Sequence, residues 1–189
     1  HLDVIHKGFG TKLLESELKK LFKSAKIARF DADNSKSSSL DQLYDSVKTG
    51  AIDILIGTQT IARGLDLPHL TTVGVVQADA GLSLPDFAAE ERSFHLLTQV
   101  FGRVGRGHTK NSHIFIQTFQ PEHPVIKAAI QSDYSAFYQY LLKKRQKSKL
   151  PPFYFLAKLY LTYKTEQTTV QNLTKSHQKL SQIPHLIIS

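Results

Sequence analysis

Residues 52–68 read Ile52-Asp-Ile-Leu-Ile-Gly57-Thr58-Gln59-Thr-Ile-Ala62-Arg63-Gly64-Leu-Asp66-Leu-Pro68. A short apolar run (52–57) ends on a glycine, and a hydroxyl and an amide side chain follow at once. Such a run is the pattern of a buried strand in a parallel sheet. Gly57, Thr58 and Gln59 then stand at its carboxyl end, where ligands bind in open α/β folds. Thr58 offers a hydroxyl and a backbone N–H to a phosphate. Asp66 can accept from a ribose hydroxyl or orient an Arg. Taken singly, it reads first as a turn Asp before Pro68.

The surrounding sequence alternates two periods. Residues 12–24 place Leu13, Leu14, Leu18, Leu21 and Phe22 at helical spacings, with Thr11 as cap and Glu15 in the acidic first-turn region. Lys19, Lys20, Lys23 and Lys26 read as its solvated face. Residues 26–30 alternate like a strand. Residues 34–39 are a Ser-rich loop, and 40–48 a second helix ended by Gly50. Residues 72–78 and 113–119 are further strands, and 86–104 a third helix. Strands alternating with helices predict a parallel α/β sheet over 1–120.

Beyond Pro121 the character changes. Helices are predicted at 124–131 and 133–146, with Ser132 or Asp133 capping the second. Its apolar spacing assigns Phe137 and Leu141 to packing, with Tyr134, Tyr138 and Tyr140 interleaved. It runs into Lys143-Lys144-Arg145-Gln-Lys147-Ser-Lys149. Base stacking by these rings and backbone tracking by Lys143, Lys144 and Arg145 are one reading, a solvated face the other. Pro151-Pro152 breaks the chain. A strand at 155–163, a helix at 167–181 and a strand from 186 would then begin an incomplete α+β domain. The predicted organisation is 1–120, a helical connector at 121–150, and 151–189.

Composition bounds the function. The 189 residues hold 24 Lys+Arg and 16 Asp+Glu, a net charge of +8. Residues 1–120 carry 14 and 13 of these, and 121–189 carry 10 and 3. A basic second part favours polyanions such as nucleic acid. With no Cys, the chain has no disulfide, no thiol nucleophile and no Cys-ligated metal. No metal-ligand pattern appears among the scattered His, so no metal site is predicted. No apolar run reaches the roughly 18 residues of a membrane span. Gly8–Lys12 (GFGTK) lacks the phosphate-loop spacing G-x-x-x-x-G-K-[ST], and no DExx motif stands in context.

The sharpest local signal is Gln99-Val-Phe-Gly102-Arg103-Val-Gly105-Arg106-Gly107. Two Arg three apart, each preceded by Gly at a helix end, form a paired guanidinium clamp. Arg is permanently charged, and its planar fork fits phosphate oxygens. Taken alone, the segment could equally be a basic Gly-rich turn.

It does not stand alone. A strand, GT-x-x-x-A-R-G-x-D-x-P, and then Q-x-x-G-R-x-G-R some thirty residues on resemble motifs V and VI of the superfamily-two helicases. Asp79-Ala-Gly81, Pro85-Asp-Phe87, Glu90-Glu91-Arg92, Arg29-Phe-Asp31-Ala-Asp33, Gln117-Thr-Phe-Gln-Pro121-Glu-His123-Pro124 and Leu150-Pro-Pro-Phe153 narrow this to the PriA family of replication-restart helicases. Lys12 and Arg63 depart from the residues more usual in that family, and both keep the local chemistry.

The resemblance implies the second RecA-like motor lobe of an ATP-driven 3′-to-5′ helicase acting at forks and single strands in a bacterial cytoplasm. It implies Arg103 and Arg106 as arginine fingers on the γ-phosphoryl. Gly64, Asp66 and Gln99 would lie at the nucleotide, and Gly10, Thr11, Thr58 and Gln59 on the DNA strand. ATP and magnesium would bind chiefly on a first lobe outside this chain, so this lobe alone is not expected to hydrolyse ATP. Zinc belongs to a Cys-rich insertion that in the family precedes the Gly8-Phe-Gly10-Thr11 segment; the chain begins where it would end, read either as a fragment cut after the insertion or as a lineage that lost it. Partners would be DNA, other primosome proteins and single-strand-binding protein, with no membrane. The rival readings are a RecG-like translocase, a non-catalytic nucleic-acid module of helicase fold, and a protein-docking scaffold. Steeply salt-dependent DNA affinity separates the nucleic-acid readings from the scaffold.

Overall fold

The computed structural model describes residues 10–30, 37–58, 61, 67, 70–102, 104, 112–157 and 159–184. The chain divides into two compact units, His1–Lys147 and Ser148–Ser189.

The first unit opens with α1 (Thr11–Leu21) and β1 (Ile27–Phe30). Gly10, extended at φ −65° and ψ 148°, occupies the N-cap position and no side chain caps the helix. Thr11 is therefore its first helical residue rather than the cap. Its hydroxyl is directed sideways, 3.5 Å from Arg29 Nη1. Glu15 also lies past the first turn, which holds no acid. Next comes α2 (Ser37–Lys48), which begins inside the stretch read as loop. Gly50, at φ 74°, ends the helix with the Ala51 and Gly50 amides turned back to Ser46 O and Val47 O.

β2 (Ile54–Gly57) runs parallel to β1, with Phe30 opposite Gly57. Asp53 pins the start of this register by accepting from the Lys26 amide at 2.7 Å. β3 (Thr72–Val75) pairs in parallel with β4 (His113–Ile116). Both ladders stop short of the predicted lengths. Gln77 takes a positive φ of 54°, which turns the chain out of the strand. Its amide goes instead to Gln117 Oε1, and the next amide, of Ala78, goes to Gln117 O. The strands thus form two parallel pairs, and among the described residues no ladder joins one pair to the other.

Three helices build the core over β3 and β4. α3 (Ala89–Phe101) starts later than residue 86, because Asp86 Oδ1 accepts from the Ala88 amide in a local turn. α4 (Pro124–Gln131) and α5 (Tyr134–Lys147) follow, joined through Ser132 in the left-handed region. Asp133 Oδ1 accepts from the Ala136 amide and starts α5. Phe94 and Leu97 of α3 bury themselves against Val125, Ile126 and Ala129 of α4 and Phe137 and Leu141 of α5. The Phe94 and Phe137 rings stack at 3.9 Å and 2°. The connector helices are therefore part of the first unit's core.

In the second unit, α6 (Glu166–Leu180) is capped by Thr165, which accepts from the Thr168 amide at 3.3 Å. The strand expected at 155–163 is not formed. The described residues there make no ladder, and Phe155, Leu156 and Leu159 are exposed. The segment from 186 lies outside the described residues. No helix among the described residues is long and apolar enough to cross a membrane.

Candidate functional site

Arg29, next to last in β1, lies opposite Ile56, so its position is close to the carboxyl end of β2. Its guanidinium reaches the first turns of α1, with Nε donating to Glu15 Oε2 at 2.8 Å and Nη1 lying 3.5 Å from Thr11 Oγ1. Glu15 also accepts from Lys19 Nζ at 2.7 Å. The Lys19 hydrogen bond, with help from Arg29, holds the Glu15 carboxyl below the usual carboxylate range. This brings Thr11, at the start of α1, against the Arg29 side chain near the carboxyl end of β1. A helix N-terminus carries unsatisfied amides and partial positive charge, which suit an anion.

A side chain at Gly57 would force its neighbours to shift. A Cβ there would lie 2.0 Å from Ile61 Cδ1 and 3.1 Å from Phe30 O. The missing side chain lets Ile61 fold back over the strand end, with its amide on Thr58 O at 3.1 Å. Thr58 is left exposed. Gln59, Gly64 and Asp66 lie outside the described residues.

The second candidate cluster follows α3. Gln99 is exposed near the end of this helix, and Gly102 closes it in helical geometry with its amide on Thr98 O. Arg103 and Arg106 come directly after in sequence and lie outside the described residues.

The basic end of α5 divides. Lys143 is exposed. Lys144 Nζ donates to Glu90 Oε1 at 2.8 Å, and Arg145 Nη2 to Glu91 Oε2 at 2.7 Å. The Arg145 side chain is 13% exposed and lies over the Phe87 ring at 5.2 Å. Its Nε is buried without a hydrogen-bond partner. The Lys144 side chain remains 52% exposed, whereas Arg145 is largely enclosed. Their charges answer carboxylates of α3, and Arg145 is too enclosed to follow a phosphate backbone.

Glu90 is the hub that sequence reading missed. Its buried Oε1 also accepts from Tyr140 Oη at 2.9 Å and stands 3.5 Å from His123 Nε2. Burial, with Glu90 as hydrogen-bond acceptor, pushes the Tyr140 hydroxyl up to about 12. Burial lowers the His123 imidazole, against the pull of Glu90. His123 Nδ1 meanwhile accepts from the Val125 amide at 3.3 Å as the cap of α4. The legible signal was an adjacent acid pair at 90–91 facing an adjacent basic pair at 144–145. It was invisible without the helix packing that joins them. Asp79 is likewise buried, with Oδ1 accepting from the Phe119 amide at 3.2 Å.

Residues 7–108 match the model of the helicase conserved C-terminal domain. The chain belongs to this helicase family. As a helicase C-terminal lobe it is similar to replication restart protein PriA of Bacillus subtilis, 45% identical over 79% of this chain and 19% of that protein. The same protein of Borreliella burgdorferi is 38% identical over 94% of the chain and 26% of its own length, and that of Treponema pallidum 38% over 95% and 27%. The chain thus spans about a quarter or less of the length of these curated relatives. The match to the solved C-terminal domain of the DEAD-box protein Dbp5 covers 70% of this chain and 75% of that one, at 19% identity and a TM-score of 0.45. The helicase-family match includes Thr11 and Thr58 and ends just past the Arg pair. The Glu90 cluster joins the matched part to helices beyond it.

Proposed function

We propose that this lobe is the second motor lobe of an ATP-driven 3′-to-5′ DNA translocase that serves replication restart at branched DNA. What supports the reading is the contact of α1 with β1, where Arg29 meets Thr11, in a strand pair whose β2 ends at Gly57 and the exposed Thr58. Gly10 and Thr11 at a helix N-terminus and Thr58 at a strand end offer hydroxyls and amides. That is chemistry for a single-strand backbone, with Gln59 next in line and Lys143 as an exposed cation on α5. The names of the relatives, in a chain of this family, support replication restart as the setting. That setting would bring DNA, primosome proteins and single-strand-binding protein as partners, in the cytoplasm.

Arg103 and Arg106 would act on a nucleotide held mostly by a companion first lobe, together with its magnesium. Their guanidinium forks would meet charge developing on the transferred γ-phosphoryl, where fixed donors are worth most. Gln99, exposed one turn before the pair, would help position the nucleotide, and Gly64 and Asp66 would lie near its ribose. In the two-lobed protein, Arg106→Ala is expected to cut DNA-stimulated ATP hydrolysis by roughly a thousandfold or more. Folding and DNA binding should be largely kept. Near-normal turnover in that variant overturns the finger assignment.

A further inference from the structure

We infer that the outer side of α5 is a binding surface for single-stranded DNA, with Tyr134 and Tyr138 as a stacking platform for its bases and Lys143 and Lys147 as contacts for its phosphates. This rests on the reading above and extends it to a helix beyond residues 7–108 of the family match.

α5 uses only part of its circumference to fold. Phe137 and Leu141 are its core residues, and Tyr140, Lys144 and Arg145 answer the acids of α3. Tyr134 and Tyr138 face outward, 59% and 45% exposed. They stand about one turn apart, and their rings lie near-parallel at 21° with centroids 6.1 Å apart. Phe94 and Phe137 flank the Tyr134 ring at 6.1 and 6.2 Å, so the platform is braced from the core side. Side chains already held in place cost less to order when a ligand binds.

An exposed ring pair suits a protein partner as well as a base, and charge decides between them. α5 contains no acid. Lys143 and Lys147 are exposed, and among the described residues neither has an ion-pair partner. At about 100° per residue, they lie roughly 140° and 180° round the helix from Tyr138. Rings and lysines thus flank a crest that carries Gln139 and Gln146, both exposed. Flat rings on one flank and cations on the other match a strand whose bases and phosphates lie on opposite sides of its sugars. An apolar partner would use the rings and leave the lysines unanswered, and an acidic one the reverse. Stacking accepts any base, because every base has a π-face.

The test is anisotropy in the two-lobed protein with two labelled strands of equal length, one of thymidines and one abasic. Tyr138→Ala is expected to weaken binding of the thymidine strand roughly tenfold, and Tyr138→Phe to keep it within about twofold. On the abasic strand Tyr138→Ala and the parent should bind equally, since no base is there to stack. Lys143→Ala with Lys147→Ala should lower the slope of log affinity against log salt by about 1.4 on both strands. Unchanged affinity of Tyr138→Ala for the thymidine strand overturns the inference and leaves the face to a protein partner. Equal losses on the two strands overturn it as well, because a loss that ignores the bases is not stacking. Should Tyr138→Ala not fold, the lysine variant carries the test, and an unchanged slope there overturns the inference. A parent protein that binds neither strand overturns this surface together with the reading of the lobe as part of a DNA motor. A parent that binds, with the variants unchanged, overturns the surface alone.

Discussion

A methyl group added at Gly81 would lie 2.5 Å from Ser93 Oγ, closer than real carbon atoms approach an oxygen. The glycine lies in a turn, and its φ does not demand glycine. What demands it is the close passage of the turn over the buried face of α3. Ser93 Oγ donates to Ala89 O within the helix, so turning it aside breaks that bond. Gly81→Ala should therefore cost about 1 to 3 kcal/mol, as overpacking does. Ser93→Ala removes the clashing oxygen and keeps the helix, so the double variant should recover most of that loss. Urea unfolding of the four variants checks the cycle. Additive losses would show that the two residues do not share the space. Gly57 follows the same logic against Ile61, and there the motif itself pointed to the glycine. At Gly81 only the packing could.

At the scale of elements, α4 begins on an unusual cap. The histidine at its N-cap position must keep Nδ1 unprotonated to accept from the Val125 amide. Burial lowers the His123 imidazole from its ordinary value of 6.5, and the charge of Lys144 acts in the same direction. Glu90 and Asp79 oppose this and do not outweigh it. The sign follows. Above the unfolded value both states are neutral and the group costs nothing. As pH falls below about 6.5 the unfolded chain takes up its proton first. Stability should therefore fall with acid from that point down through the lowered folded value. His123→Asn keeps a capping acceptor and removes the titration. Its stability should change less between pH 7 and pH 5 than that of the parent chain, as followed by thermal melting. Equal slopes would remove His123 from the account. The helices themselves were largely readable, with α4 predicted at its observed bounds and Asp133 as the start of α5. Their caps were not, because Gly10 and His123 are chosen by backbone path and by neighbours distant in sequence.

At the scale of the whole chain, charge is distributed in a way that composition reports and does not explain. The residues before Pro121 are nearly balanced, and most of the excess lies after it. The α/β class, the parallel strands and the family were legible because Gly57-Thr58, the Arg pair and their order each follow local rules. The use of the basic residues was not legible, since Lys144 and Arg145 are spent on Glu90 and Glu91 while Lys143 faces solvent. This split predicts opposite consequences for neighbouring residues. A cation on a single-strand phosphate releases counterions, and each contact adds about 0.7 to the slope of log affinity against log salt. Lys143→Ala in the two-lobed protein should reduce that slope by about this amount and leave the melting midpoint in place. Arg145→Ala should leave the slope nearly unchanged and cost about 1 to 2 kcal/mol, through the lost ion pair and the lost ring contact. Fluorescence anisotropy with a labelled single strand across a salt series gives the slopes, and urea unfolding gives the stabilities. If Arg145→Ala flattened the salt dependence instead, its guanidinium would have to leave Phe87 and Glu91 to reach the strand. The anchoring of α3 would then be a state that DNA binding breaks.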